Sequence, residues 1–367
     1  MNFDYTTDQE MLRDSAQRYL QQQYDYQRRE KILRSGGFSR DVWRAFAEFG
    51  WLGAALPEEA GGLGGGPEEA AILMEAMGRH VVLEPYLDSA IVGGLLLQHV
   101  SDAELRAALL ERMIAGELQS ALAALETDVS QDFGRLATRA TPVNTGWMLS
   151  GRKAVVQNGG LADKYFVSAN ANEGVSLFLV DRNAPGVTVR TYRSNDGRTA
   201  AEVTLEDVSV QSGELVGGLG AAVDLLELAG DHASAAICAE VVGSSAYLVE
   251  TTCEYLKTRE QYGAPLAKFQ VLQHKLADMY VAVELARSMA HLAAAALSKP
   301  AGARKREVSA ARLQATRCAR LVGRDAVQMH GGMGMSDELD VSAHFKRLTM
   351  ATLQFGDEAY HLARLAA

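Results

Sequence analysis

Cysteine, positive charge and long apolar runs are the three things this chain has little of. Its 367 residues include only 3 cysteines, Cys238, Cys253 and Cys318. They are odd in number, far apart and outside any CxxC spacing. That pattern excludes a disulfide framework and a thiolate metal site and leaves reduced, buried thiols as the expectation. Lys and Arg number 36 against 46 Asp and Glu, a formal net charge of −10, which argues against nucleic acid as a partner. A small anionic ligand stays open, because local cations decide that. The clusters Arg304-Lys305-Arg306 and Lys346-Arg347 read as solvated helix faces. No apolar run approaches the ~20 residues of a membrane-spanning helix. The start, Met1-Asn2-Phe3-Asp4-Tyr5, has neither the basic nor the apolar part of a signal segment. The expectation is a cytoplasmic protein with no membrane partner.

What is present is enough apolar residue for a large core, 48%, in a length that suits two or three domains or one large multilayer subunit. Residues 1–117 read as helices. Thr7-Asp8-Gln9-Glu10 resembles a capping signal ahead of a periodic run. Residues 39–49 read as a further helix with Trp43, Phe46 and Phe49 on one face. Gly61-Gly62-Leu63-Gly64-Gly65-Gly66-Pro67 looks like a phosphate loop, but it follows a helical stretch rather than a strand, so a helix-to-helix turn is the better reading. From 118 to 216 short apolar segments with close turns take over. They include a strand, turn and strand over 146–156, with others at 119–125, 165–169, 175–180, 187–189 and 203–208. No helix intervenes, which predicts an antiparallel barrel or sandwich. From 217 to 367 long helices return, and Ala-rich faces such as Ala293-Ala294-Ala295-Ala296 suit close packing in a four-helix bundle.

Two stretches carry chemistry. Arg259-Glu260-Gln261-Tyr262-Gly263-Ala264-Pro265 begins with a fixed cation and an amide, turns on Gly and Pro, and leads through Phe269-Gln270 into an amphipathic helix. A guanidinium fork beside an amide suits phosphate oxygens. Farther on, Gln328-Met329-His330-Gly331-Gly332-Met333-Gly334-Met335 makes a second glycine turn. Taken singly, Arg259 reads as a surface helix residue and Gly331-Gly332 as a helix cap. Together, in this order, they resemble the C-terminal signatures of the acyl-CoA dehydrogenase family. Pro57-Glu58-Glu59-Ala60-Gly61-Gly62 resembles that family's usual loop, and the resemblance covers nearly the whole chain.

The resemblance implies an α+β multi-domain fold: an N-terminal helical domain (1–117), a middle antiparallel β-barrel or sandwich (118–216) and a C-terminal four-helix bundle (217–367). It implies an acyl-CoA substrate and FAD. In the family a carboxylate takes a proton from the carbon beside the thioester carbonyl, which is polarised as charge develops, and a hydride leaves for the flavin. By resemblance, Arg259 and Gln261 reach the FAD pyrophosphate of a neighbouring subunit, and Tyr262, Phe269 and Gln270 pack beside it. Gln328, Gly331 and Gly332 lie along the adenosine part, where missing side chains let backbone approach.

The rest of the family's machinery is altered. Leu125-Glu126 stands where the family has threonine and glutamate, followed by Thr127-Asp128-Val129-Ser130-Gln131-Asp132 in place of a glycine-rich segment with a serine. Val155 stands in the place of a tryptophan beside the flavin and Gln157 in that of a hydroxyl residue. The usual base, a glutamate before a glycine, is Phe355 in Gln354-Phe355-Gly356-Asp357-Glu358; the place used by some relatives falls on Ala233. Asp231, next to His232, is the remaining candidate for a shifted base; its other reading is a capping or exposed helix carboxylate.

What is altered serves a flavin in the chain's own pocket, and what is kept reaches a neighbour's. The resemblance therefore implies the non-catalytic small subunit of a hetero-oligomeric acyl-CoA dehydrogenase. A larger dehydrogenase subunit would complete an α2β2 heterotetramer with one FAD per pair of chains. The overall sequence, including the ending Phe345-Lys346-Arg347-Leu348-Thr349-Met350 and His361-Leu362-Ala363-Arg364-Leu365-Ala366, resembles most the pimeloyl-CoA dehydrogenase type of small subunit, among enzymes of dicarboxylic acyl-CoA and steroid side-chain degradation. Electron-transfer flavoprotein is the family's default acceptor. Two other readings stay open: a self-sufficient homo-oligomeric dehydrogenase with a shifted base, and a structural or regulatory paralogue that binds neither flavin nor CoA.

Overall fold

The computed structural model describes residues 5–127 and 135–366. In chain order the first helices are α1 (Thr7–Gln23), α2 (Tyr26–Arg34), α3 (Arg40–Glu48), α4 (Pro67–Arg79), α5 (Gly94–Leu97) and α6 (Ala103–Ile114). Strands follow: β1 (Ser120–Ala123), β2 (Arg139–Val143), β3 (Gly146–Gln157), β4 (Lys164–Ala171), β5 (Gly174–Asp181), β6 (Val187–Arg193), β7 (Thr199–Gln211) and β8 (Leu215–Val216). Then come α7 (Ala222–Thr258), a minimal hairpin β9 (Glu260–Gln261) and β10 (Ala264–Pro265), and the helices α8 (Gln270–Ala296), α9 (Ala301–His330), α10 (Val341–Ala351) and α11 (Glu358–Ala366). Contacts divide the chain into two compact units, one of residues 1–31, 67–82 and 234–367 and one of residues 32–66 and 83–233.

The first unit is helical. Its α1 opens on a capping box one residue earlier than expected: Thr6 Oγ1 accepts from the Gln9 N–H at 3.2 Å and Gln9 Oε1 accepts from the Thr6 N–H at 3.0 Å. The cap must stand outside the helix, so Thr6 takes the role and Thr7 becomes the first helical residue. Along α9, Val308, Ala311, Ala315, Cys318, Ala319, Val322 and Ala326 are buried, at three- and four-residue steps that make one face. Gly78 of α4 and Gly243 of α7 let the two helices touch, since a Cβ on Gly78 would meet the Glu240 carbonyl and one on Gly243 the Glu75 carbonyl. By length and composition α7 qualifies as a membrane span, contrary to the expectation of no such run, but 78% of its apolar window is buried within the protein. It is a core helix. The expected solvated pair Lys346-Arg347 is also corrected: Arg347 is 2% exposed.

The second unit is built on one sheet in the order β6-β7-β3-β2-β4-β5-β8, with β1 added alongside β4. Most pairings are antiparallel, but β1 and β2 run parallel to β4, so the sheet is mixed. Residues 146–157 form the single long strand β3 rather than two strands and a turn. Register shifts after Leu149 and after Lys153 absorb the irregularity that reads as a turn in sequence. Leu149, Val156, Tyr165, Val167, Phe178, Val180, Val203 and Leu205 make the core of this sheet. In α3, Trp43 and Phe46 are buried as expected, whereas Phe49 ends the helix 47% exposed and stacks on Trp51 at 5.2 Å.

Candidate functional site

The two signature stretches meet at one end of the helical unit. Tyr255, in the last turn of α7, stacks on His330, the last residue of α9, with ring centroids 4.3 Å apart, and its hydroxyl donates to the His330 carbonyl at 3.5 Å. Burial lowers the His330 pKa from its ordinary value, so the neutral ring stacks without a desolvated charge. Just beyond Tyr255, the Arg259 N–H donates to the Tyr255 carbonyl at 2.8 Å, and the Arg259 carbonyl accepts from the Leu266 N–H at 2.8 Å. Between those two bonds the chain makes the β9–β10 hairpin. Its central residues Tyr262 and Gly263 have φ of 56° and 75°, the two positive values of a type I′ turn. Glycine takes that geometry freely, but Tyr262 is held in it at a cost of about 1 kcal/mol.

Arg259, Gln261, Gln270, Gln328, Gly331 and Gly332 are all exposed, Phe269 is half-buried, and Tyr262 is 92% exposed, with the Phe269 ring edge-on at 6.1 Å. The signatures thus form an open surface rather than the wall of a closed pocket. Gly331 has φ of 62° and needs glycine for its backbone, whereas Gly332 has no such constraint, and no atom of this chain lies within 4 Å of a Cβ built on either.

The positions matched to a flavin ring also come together, on the sheet unit. The Leu125 carbonyl accepts from the Ala154 N–H at 2.9 Å, which sets Leu125 against the bulge that carries Val155. Val155 is 48% exposed with φ of 50°, an outlier for a β-branched residue. Gln157 closes the same segment, and Asn158 after it has φ of 58° and donates through Nδ2 to the Ser120 carbonyl at 3.1 Å. Beneath the bulge lies a buried ion pair: Lys153 Nζ donates to Glu126 Oε1 at 2.7 Å and to Ser168 Oγ at 3.1 Å, and Glu126 also accepts from the Ala137 and Thr138 N–H groups. Burial alone would raise the Glu126 carboxyl, but the Lys153 and Thr138 hydrogen bonds outweigh it and hold it down at about 2. Of the segment 127–132 only Thr127 lies within the described residues.

The turn matched to the catalytic base is Gln354-Phe355-Gly356, where Phe355 has φ of 52° and is half-buried. It is latched from below. Arg347 Nε donates to Glu240 Oε1 and its Nη2 to Glu240 Oε2 and Gln354 Oε1, at 2.8, 2.5 and 2.8 Å. Arg312 Nη2 donates to the carbonyls of Ala351 and Gln354 at 2.8 and 2.9 Å. Sequence reading missed the burial of the three charged residues Glu240, Arg312 and Arg347, because burial of a charged side chain inside a helix leaves no local pattern. Asp231 sits inside α7, fully buried beside an equally buried Ala233, which corrects its reading as a capping or exposed carboxylate. Among the described residues no group of three His, Cys, Asp or Glu could hold a metal ion.

Comparison with known proteins agrees with this architecture. Residues 6–117 match the N-terminal, 121–208 the middle and 218–367 the C-terminal domain of acyl-CoA dehydrogenase. The chain belongs to the acyl-CoA dehydrogenase family. It is 26% identical over 376 residues to a probable acyl-CoA dehydrogenase, YngJ, of Bacillus subtilis (strain 168), covering 100% of this chain and 98% of that one. It is 27% identical over 360 residues to the L-prolyl-[peptidyl-carrier protein] dehydrogenase of Serratia sp. (strain ATCC 39006), covering 94% and 92%. Among solved structures it superposes on a variant of the Tcur3481-Tcur3483 steroid ACAD with a TM-score of 0.89 and 30% identity, covering 98% and 96%. It shares the fold of the ChsE4-ChsE5 complex from Mycobacterium tuberculosis at a TM-score of 0.90 and 24% identity, covering 100% and 98%.

Proposed function

We propose that this chain is the non-catalytic small subunit of an FAD-dependent acyl-CoA dehydrogenase and completes the FAD site of a larger dehydrogenase subunit in an α2β2 heterotetramer. The three family regions, 1–117, 118–216 and 217–367, would be its functional divisions. The observation that carries the reading is a contrast in what fits FAD. The end of the helical unit offers a guanidinium, amides and two side-chain-free glycines on an open surface, which suits phosphates and adenosine approached from another chain. The bulge on the sheet unit offers Leu125 and Val155, which have no hydrogen-bonding side-chain atom for a flavin ring. The fit is to half of the cofactor.

The chemistry follows from that division. FAD, when bound, accepts the hydride removed from the acyl chain. Arg259 would neutralise pyrophosphate charge, Gln261 and Gln328 would direct amides at the same ligand, and Tyr262, Phe269 and Gln270 would flank it. Phe355 accepts no proton, so the base would belong to the partner. The solved relatives named for pairs of proteins, Tcur3481-Tcur3483 and ChsE4-ChsE5, favour a hetero-oligomer, and the steroid in the first name favours a steroid or comparably large acyl-CoA. The resemblance of the overall sequence to the pimeloyl-CoA dehydrogenase type of small subunit points to the same class of assembly, with electron-transfer flavoprotein as acceptor by analogy.

The test is flavin stoichiometry, measured on the chain alone and after co-expression with a larger dehydrogenase subunit. A colourless chain that joins a yellow complex with one FAD per pair of chains is expected. An FAD in every copy of the lone chain would overturn the reading and turn attention to Asp231 as a base.

A further inference from the structure

The side chains that would meet the FAD phosphates and adenosine, Arg259, Gln261 and Gln328, are exposed. Exposed long side chains keep most of their rotamer freedom, so what the fold can fix is the backbone from which each one starts. Those starting points lie on separate segments: Arg259 directly follows α7, and Gln328 belongs to the last turn of α9. Tyr255 is tied to both. Toward the first signature its carbonyl accepts from the Arg259 N–H at 2.8 Å and from Thr258 Oγ1 at 3.2 Å. These bonds carry the geometry of the helix to the residue that bears the guanidinium. Toward the second signature its ring lies on that of His330, with centroids 4.3 Å apart and planes 26° from parallel. His330 is 4% exposed and is tied in turn to α9, its Nδ1 donating to the Ala326 carbonyl at 2.9 Å. Directly after it, Gly331 takes φ of 62°, and its N–H donates to the Gln328 carbonyl. The stack is a side-chain joint between the backbone of Arg259 and that of Gln328.

The rings carry this joint. The bond from the Tyr255 hydroxyl to the His330 carbonyl is long, 3.5 Å, and a hydrogen bond at that distance holds little. Burial lowers the His330 pKa, and the bond to Ala326 accounts for the Nδ1 proton of the neutral ring. Stacked flat rings prefer a narrow range of offsets and tilts, so the pair sets a separation and an angle that an aliphatic contact would leave loose. We propose that Tyr255 and His330 are positioning residues for FAD. They touch neither phosphate nor adenosine; they hold the backbone of Arg259 in register with the Gln328–Gly332 turn, so that both stretches engage one cofactor. This inference rests on the reading of the two signatures as an FAD grip and adds which residues set the geometry of that grip. A grip arranged before the ligand arrives binds more tightly, because less ordering is left to the binding step.

The test is the FAD dissociation constant of the complex co-expressed with a larger dehydrogenase subunit, followed by flavin fluorescence. Tyr255→Leu removes the stack and should weaken FAD by about 10-fold, while Tyr255→Phe keeps the ring and should stay within about 3-fold of wild type. In the Tyr255→Leu background, Arg259→Ala should cost no more than about 3-fold, because a misplaced guanidinium has little left to lose. A Tyr255 that serves stability alone would leave the cost of Arg259→Ala the same in both backgrounds, and that additivity overturns the proposal. Arg259→Ala by itself separates the two levels. If it leaves FAD affinity unchanged, the reading of the hairpin fails and the inference with it; if it weakens FAD and Tyr255→Leu does not, the positioning role alone fails. Should Tyr255→Leu not fold, His330→Leu breaks the same stack from the other side, and the lone wild-type chain gives a result that needs no variant. Hydrogen exchange there should release the amides of Arg259 and Gly331 together, since one joint holds both. Protection factors that differ by more than about 10-fold would show two independent openings and overturn the proposal.

Discussion

Two places in this molecule stand, by resemblance to the family, where its FAD would lie, and they contrast in opposite ways. At the end of the helical unit the side chains are kept and nothing in the chain encloses them. On the sheet unit the backbone is kept and the side chains are changed: the bulge holds Val155 at φ of 50°, a conformation that valine itself disfavours. The base turn repeats the second pattern, with Phe355 at φ of 52° and a set of buried charges beneath it. Strain of this kind persists only where the surroundings impose it. The difference teaches that a backbone frame does not depend on the side chains it displays, because it is held by buried pairs such as Glu126–Lys153 and Glu240–Arg347. Those pairs are costly to break and do not depend on the ligand.

Mutations can separate the two places. The largest effect is expected from Glu126→Ala, which strands the buried Lys153 ammonium and should lower stability by about 3–5 kcal/mol. Denaturant melts would check it, and a loss below ~1 kcal/mol would mean that the bulge is not held by this pair. Acid should act differently on the two units. Burial lowers His80 to about 4 and His344 and His361 to about 3. Their folded pKa values lie below the ordinary 6.5, so the stability they contribute is present above pH ~6.5 and is lost as pH falls toward 4 and then 3, at up to about 1.4 kcal/mol per pH unit for each ring. Glu126, held at about 2, gives up its contribution only below the ordinary carboxylate range. Hydrogen exchange between pH 7 and 5 should therefore show amides of the helical unit losing protection by about 2–4 kcal/mol before those of the sheet. Equal loss in both units would erase the contrast.

Smaller effects bear on function. Arg259→Ala in the co-expressed complex should weaken FAD binding by about 10–150-fold, the worth of a charge-assisted hydrogen bond or two, while the melting of the lone chain stays within about 0.5 kcal/mol because Arg259 is exposed. Unchanged FAD affinity would remove the hairpin from the cofactor site. The smallest effect belongs to Tyr262→Asn, which gives the hairpin the Asn-Gly pair preferred in type I′ turns and should stabilise the chain by about 0.5–1 kcal/mol. Loss of stability there would show that the exposed ring packs on something within its own chain.

The sequence allowed the three-part order and both signatures to be read, because helical periodicity, short apolar strands and glycine turns are local patterns. Four things were not read. The parallel pairing of β1 and β2 with β4 depends on contacts between distant segments. The burial of Arg347, Arg312 and Glu240 depends on partners up to 107 residues away, so Lys346-Arg347 read as a surface pair. The union of the two signatures through Tyr255 and His330 had a sign that went unread: one ring stands just before Arg259 and the other directly before Gly331-Gly332. Asp231 read as a shifted base or as a capping or exposed carboxylate, and its burial follows from the packing around α7.

The Tyr255–His330 stack also has a consequence for how the chain folds. Its partners are 75 residues apart, and the chain between them holds the hairpin, all of α8 and nearly all of α9. Closing so long a loop is rewarded only once those two helices have paired. The junction of the two signature stretches is then among the last features of the helical unit to form. A half-folded chain would carry both signatures in sequence and neither in register, so capture of a partner or cofactor through this surface would report that folding is complete.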